Sequence, residues 1–259
     1  MREVTKKYFT KLEVNLKSNK QSYIIEAKRG QKYLFHNGKM VAKVRYKTSV
    51  ETKVKSKSEQ KKVLSIIANV KKSFSRFAKK NPDVAPIPQD FGSVYTDRIS
   101  FKELPNDTEL EYIDLNHCYW RIAHLLGYIS ERTYSNALDK PEMKLYRNMA
   151  LSCTIAPKII ETHEYGKPPI IETENTTAYN IMYGNIRYFA WNIMGSLIEK
   201  LGHGKVFGYW TDGILVCKED SQTVQDTFDE YNLLYSVQSC VKVSDREYKV
   251  IGKDKIKKV

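Results

Sequence analysis

Residues 109–130, ELEYIDLNHCYWRIAHLLGYIS, decide how the chain is read: an apolar strand runs into an acid, Asp114, and continues as a helix. A second stretch, KVFGYWTDGILVC at 205–217, has Asp212 in a Thr-Asp-Gly turn between two hydrophobic arms, Val206–Tyr209 and Ile214–Cys217. That pattern predicts a hairpin with an acid at its tip. A single acid at a strand end is usually a turn former. Two of them on neighbouring strands can also bridge two Mg2+ ions about 3.5–4 Å apart, the arrangement that nucleotidyl transfer uses. On spacing alone both readings stand.

Working outward, residues 174–202 carry apolar and aromatic residues at helical spacing and stop at Gly202. SQTVQDTFDEYNL (221–233) reads as a helix and LYSVQSCVKVS (234–244) as a strand. Strand, helix, hairpin, helix and strand in that order imply an α+β domain with β-α-β alternation. Upstream, residues 6–47 read as short strands. Among them YLFHNGKMVAKV (33–44) places Asn37-Gly38 between alternating runs, a hairpin signal because both turn positions need positive φ. Residues 58–80 set Val63, Ile66, Ile67, Val70, Phe74 and Phe77 on one helical stripe, with Lys61, Lys62, Lys71 and Lys72 on other faces. NPDVAPIPQD (81–90) then reads as a proline-rich linker, dividing the chain into 1–88 and 89–259.

Charge divides the same way. Residues 1–80 hold 23 Lys and Arg against 5 acids, residues 81–245 hold 14 against 23, and the last fourteen residues hold 6 against 2. A segment of charge +18, interleaved with Tyr8, Phe9, Tyr23, Tyr33, Phe35, Tyr46, Phe74 and Phe77, suits a phosphate backbone and bases that stack on rings. A lysine-rich solvated face is the bland alternative. No apolar run is long enough for a membrane span, and MREVTKKYFTKLEV lacks the apolar core of a signal peptide, so a reducing cytosol is expected. Cys118, Cys153, Cys217 and Cys240 lie far apart without zinc spacing and are expected to be isolated thiols.

Three segments, in order, resemble the palm motifs of family B DNA polymerases, including the protein-primed branch. Asp114-Leu115-Asn116-His117-Cys118-Tyr119-Trp120 resembles the first, with His117 for the usual Ser and Trp120 for the usual Pro. Lys144-Leu145-Tyr146-Arg147-Asn148 resembles the fingers motif KxxxN, followed here by Met149-Ala150-Leu151-Ser152 rather than Ser-x-Tyr-Gly. Trp210-Thr211-Asp212-Gly213 resembles Asp-Thr-Asp-Ser with its first acid replaced. Arg246-Glu247-Tyr248 is similar to the Lys-x-Tyr element that holds a primer end.

The resemblance covers about residues 109–250 and implies a ferredoxin-like polymerase palm with short helical fingers inserted at about 128–165. It implies that Asp114, Asp212 and the backbone carbonyl of Leu115 bind Mg2+, or Mn2+. Lys144, Arg147 and Asn148 would meet the incoming deoxynucleoside triphosphate, and Tyr119 would lie under its sugar and exclude a 2′-hydroxyl. Arg246 and Tyr248 would hold the DNA primer-template. No room is left for an exonuclease or a full thumb, so the basic N-terminal β/α region, with Lys71 and Lys72, is expected to grip the duplex. A protein primer or other replication subunits are possible partners, a phage or mobile element in a host cytoplasm a possible source, and no membrane is involved. Two other readings stay open: a template-independent nucleotidyltransferase, and an inactive palm that only binds nucleic acid.

Overall fold

The computed structural model describes residues 3–28, 30–46, 49–54, 56–88, 90–138, 143–152, 158–174, 178–253 and 255–259. Helix α1 (Lys6–Ser18) leads into strands β1 (Tyr23–Lys28), β2 (Gln31–His36) and β3 (Lys39–Arg45), then helices α2 (Ser49–Lys53) and α3 (Lys57–Lys80). Strand β4 (Val94–Thr96) and helix α4 (Arg98–Glu103) precede β5 (Glu109–Leu115), α5 (Cys118–Leu125), α6 (Glu131–Ser135) and α7 (Met143–Ser152). A hairpin of β6 (Lys158–His163) and β7 (Ile170–Glu174) comes before α8 (Ala178–Leu201). The chain closes with β8 (Val206–Trp210), β9 (Gly213–Cys217), α9 (Ser221–Glu230), β10 (Tyr235–Ser244), β11 (Glu247–Val250) and β12 (Lys255–Lys258). It is an α+β protein of two compact units, Met1–Ser75 with Leu145–Asn180, and Arg76–Lys144 with Ile181–Val259.

The first unit holds a five-stranded antiparallel sheet in the order β3-β2-β1-β6-β7. Its Asn37-Gly38 turn has φ of 49° and 71°, as the hairpin signal requires. Two expectations change here. Residues 6–18 form a helix, not a strand: the Thr5 side chain accepts a hydrogen bond from the Tyr8 amide as an N-cap. Phe9, Leu12 and Leu16, at helical spacing, then pack on Tyr23, Ile25, Leu34, Ala42 and Val44. Residues 158–163, expected within the fingers insertion at about 128–165, form β6 and pair instead with β1 in the register Ile25↔Glu161, with β7 on the far side of β6. Helix α3 forms as read, burying Val63, Ile67, Val70 and Phe74.

The second unit holds a seven-stranded antiparallel sheet in the order β12-β11-β10-β5-β9-β8-β4. β9 lies between β5 and β8 and is antiparallel to both, so those two run in the same direction. One face packs Phe101, Leu110, Tyr112, Phe207, Leu215, Cys240, Tyr248 and Val250. The alternating residues Ile113, Leu115, Ile214 and Val216 are buried on the opposite face. β4, β11 and β12 were not legible as strands.

The proline-rich stretch is not a free linker, and the units divide at 75/76 rather than at 88/89. Buried Asn185 accepts from the Ile87 amide at 2.8 Å and donates to the Ala85 carbonyl and the Tyr128 hydroxyl, each at 2.9 Å; Asn192 donates to the Pro88 carbonyl. Cys118, Cys217 and Cys240 are free thiols, and Cys153 lies outside the described residues. Among the described residues no helix is long and apolar enough to cross a membrane. Because Asn185→Ala removes the hydrogen bonds that a buried side chain makes to the part-buried Ile87 amide and Ala85 carbonyl, it should lower unfolding free energy by about 1–3 kcal/mol in a denaturant titration. It should also speed hydrogen exchange at Ile87.

Candidate active site

Asp114 and Asp212 meet because β5 and β9 pair with Asp114 opposite Gly213. The Leu115 amide donates to the Asp212 carbonyl at 2.7 Å, tying the end of β5 to the hairpin tip. In extended backbone a residue's N–H and C=O face the same strand edge, so the Leu115 carbonyl is directed to that tip as well. The tip is tight. Thr211 has φ of 55°, its amide donates to the Ser93 carbonyl at 2.9 Å, and the Asp212 amide turns back to the Trp210 carbonyl.

Gly213 leaves the space this requires. A Cβ there would stand 2.0 Å from the Tyr112 hydroxyl and 3.0 Å from Asp114 Oδ1. Tyr112 instead reaches over the glycine and donates to Asp114 Oδ1 at 3.5 Å.

Burial raises the carboxyl pKa of Asp114, against the nearby charges of Lys144 and Lys257. Burial raises that of Asp212 too, and the negative charge of Asp114 raises it further, against Lys144. Two half-buried carboxylates thus repel each other with one lysine, Lys144, acting on both. Their field also reaches the buried Cys118 thiol, which burial chiefly holds well above its usual pKa and so keeps protonated. Among the described residues, no group of three or more His, Cys, Asp and Glu side chains lies together as a metal cage. Mg2+ needs none, since one or two carboxylates with substrate phosphates and water suffice. Asp114, Asp212 and the Leu115 carbonyl fit that role and do not fit a structural zinc site.

The other predicted residues divide. Tyr119 is half-buried on α5 with its phenol pushed up to about 12, mainly by burial and by Cys118, against Trp191 and Arg187. Lys144 is exposed at the start of α7, and Asn148 is exposed, while Arg147 is only 2% exposed and so is not offered to solvent. Arg246 is exposed in the turn between β10 and β11, but Tyr248 is 1% exposed and fills the core beside Tyr112. On α3, Lys72 is exposed and Lys71 partly so. His117 takes the left-handed conformation, φ 57°, that turns the chain from β5 into α5. The indole of Trp210 lies over Gly208, where a Cβ would come within 2.7 Å of it.

Sequence reading missed Arg187, whose guanidinium stacks 4.4 Å over Trp191, and Lys257, 3.8 Å over the Tyr112 ring. The helical spacing of Tyr183, Arg187 and Trp191 was the available signal for the first. Comparison with known protein families, curated proteins and solved structures gave no match, so the site is read from its own geometry.

A raised carboxyl pKa means that the folded chain holds the proton more tightly than the unfolded chain. The stability that protonated Asp212 contributes is therefore full below the ordinary carboxylate pKa of about 3.9 and lost as pH rises through its raised folded value. Without divalent ions, Asp212→Asn should melt above the wild type at pH 7, and the gap should close on acidification below about pH 3.9.

Proposed function

We propose that the protein is a DNA-directed DNA polymerase that adds deoxynucleotides to a primer end at Asp114 and Asp212. The observation that carries this reading is the register that sets the two carboxylates side by side with Lys144 acting on both. The spatial order β10-β5-β9-β8 supports a ferredoxin-like palm: numbered by chain order within the β-α-β-β-α-β unit, the strands run 4-1-3-2. Asp114 and Asp212 then occupy the positions that the motif resemblance gives to the catalytic acids.

Mg2+, or Mn2+, when bound would supply Lewis-acid stabilisation of the attacking and leaving oxygens. The chain's own groups do the rest. The repulsion between the carboxylates, which burial intensifies, favours a cation between them. Lys144 places positive charge where the triphosphate must lie. Tyr119, half-buried by α8 residues, would close the space that a ribose 2′-hydroxyl needs.

The first unit carries 23 Lys and Arg against 9 acids, and the second 20 against 21, so the unit bearing Lys71 and Lys72 supplies the counterion-releasing surface for the DNA backbone. Arg147 and Tyr248, being buried, would act on substrate only indirectly. Whether the primer is DNA, RNA or a protein hydroxyl is a matter of what reaches the site, not of the site itself.

Primer extension on a defined template tests the reading. Wild-type protein with Mg2+ or Mn2+ should build the template's complement, and Asp114→Ala or Asp212→Ala should abolish incorporation while DNA affinity stays within about twofold, since the gripping charge lies elsewhere. Absence of incorporation under both metals would overturn the proposal, and homopolymer growth on ends would replace copying by untemplated transfer. Tyr119→Ala should admit ribonucleotides with DNA affinity unchanged. Changing both Lys71 and Lys72 to Gln should lower the slope of log affinity against log salt by about 1.8, at roughly 0.9 per phosphate contact.

A further inference from the structure

The last strand of the second unit brings an unassigned cation to the edge of the site. β12 pairs with β11 so that Lys257 stands opposite Tyr248. Its Nζ lies 3.8 Å from the centre of the Tyr112 ring, and the hydroxyl of that ring is the group that meets Asp114. No carboxylate within ion-pair distance neutralises Lys257 among the described residues, whereas Lys258 beside it faces Glu247 at 3.8 Å. Tyr112, Trp210, Tyr248, Lys257 and Lys258 together line a groove of about 320 Å³. The Tyr112 and Trp210 rings sit 6.2 Å apart at a tilt of 46°, one on each side of β9.

One of the groove's lining residues, Tyr112, meets Asp114 through its hydroxyl. Its walls are aromatic, and its free charge is positive. Rings and lysines in that arrangement suit a polynucleotide strand, whose sugars and bases rest on π-faces while its phosphates find cations. A neutral apolar ligand would leave Lys257 desolvated without a counter-charge, and an acidic peptide would use the lysines but not the aromatic wall at Trp210.

We propose that Lys257, seated on the Tyr112 ring, holds the last phosphodiester of the strand whose 3′-hydroxyl is presented to Asp114, with the partly exposed Trp210 ring as the wall that seats its terminal nucleotide. The inference rests on the nucleotidyl-transfer reading for the identity of the strand. It adds a positioning residue from a part of the chain that the motif resemblance does not assign. It also gives Trp210, which stands where the resembling motif has an acid, a part in seating the strand.

Affinity, not activity, tests it, so its failure and that of the polymerase reading can be told apart. Full-length wild-type protein, Lys257→Gln and Lys257→Arg are titrated by fluorescence anisotropy with primer-templates of one sequence. Their primers carry a neutral methylphosphonate at the last, second-last or fifth-last linkage, or none. For the wild type, neutralising the last linkage should weaken binding and lower the salt slope by about 0.9. Lys257→Gln should show that loss already with the natural primer and no further loss with the last linkage neutral, and Lys257→Arg should restore the wild-type pattern. Equal sensitivity to the last linkage in wild type and Lys257→Gln would overturn the proposal. So would a Lys257→Gln variant with unchanged DNA affinity and a raised nucleotide KM, because the lysine would then serve the triphosphate. Failure to incorporate nucleotides, with the linkage pattern intact, would count against the polymerase reading alone.

Discussion

The hydrogen bond from the Leu115 amide to the Asp212 carbonyl fixes the end of β5 against the tip of the β8–β9 hairpin, and the site follows from that register. Slipping β9 by one residue would turn Asp114's neighbours to the other face of the sheet. It would also move Gly213 from the one position where Tyr112 and Asp114 leave no room for a Cβ. Register, glycine and tyrosine therefore specify one another.

The same register has an energetic cost. Burial raises the carboxyl pKa of both Asp114 and Asp212, and the charge of Asp114 raises that of Asp212 further. Lys144 and Lys257 approach from different parts of the chain, one at the start of a helix and the other on the final strand. Elsewhere in the second unit the sheet buries alternating residues on both faces, Asn185 of α8 is hydrogen-bonded, and the ammonium of the buried Lys242 donates to the Lys102 and Leu104 carbonyls.

How much of this could be read beforehand depended on whether the signal was local. The Asp212 hairpin, the Asn37-Gly38 turn, the long helices and the closing strand at 235–244 were legible because turn chemistry and hydrophobic period agree within each segment. Helix α1 was not, although Phe9, Leu12 and Leu16 keep helical spacing behind Thr5, because its mixture of aromatic and β-branched residues also suits strands. The β6–β7 hairpin was misplaced since its partner, β1, is remote in sequence and pairing leaves no local mark. Lys257 falls among the last fourteen residues, where the sequence shows only an excess of basic residues. Only the pairing of β12 with β11 brings it to Tyr112.

The interleaved chain of the first unit sets the order in which the protein can be completed. Tyr23 and His163 stack at 4.5 Å, although 140 residues separate them. At synthesis rates of about 5–20 residues per second, β1 waits roughly 7 to 28 s on the ribosome for the strand that covers its edge. During that interval the β1 edge is an unpaired, partly apolar template with lysine at its end. High-contact-order closure of this kind ties completion of the basic sheet to emergence of the segment that follows α7.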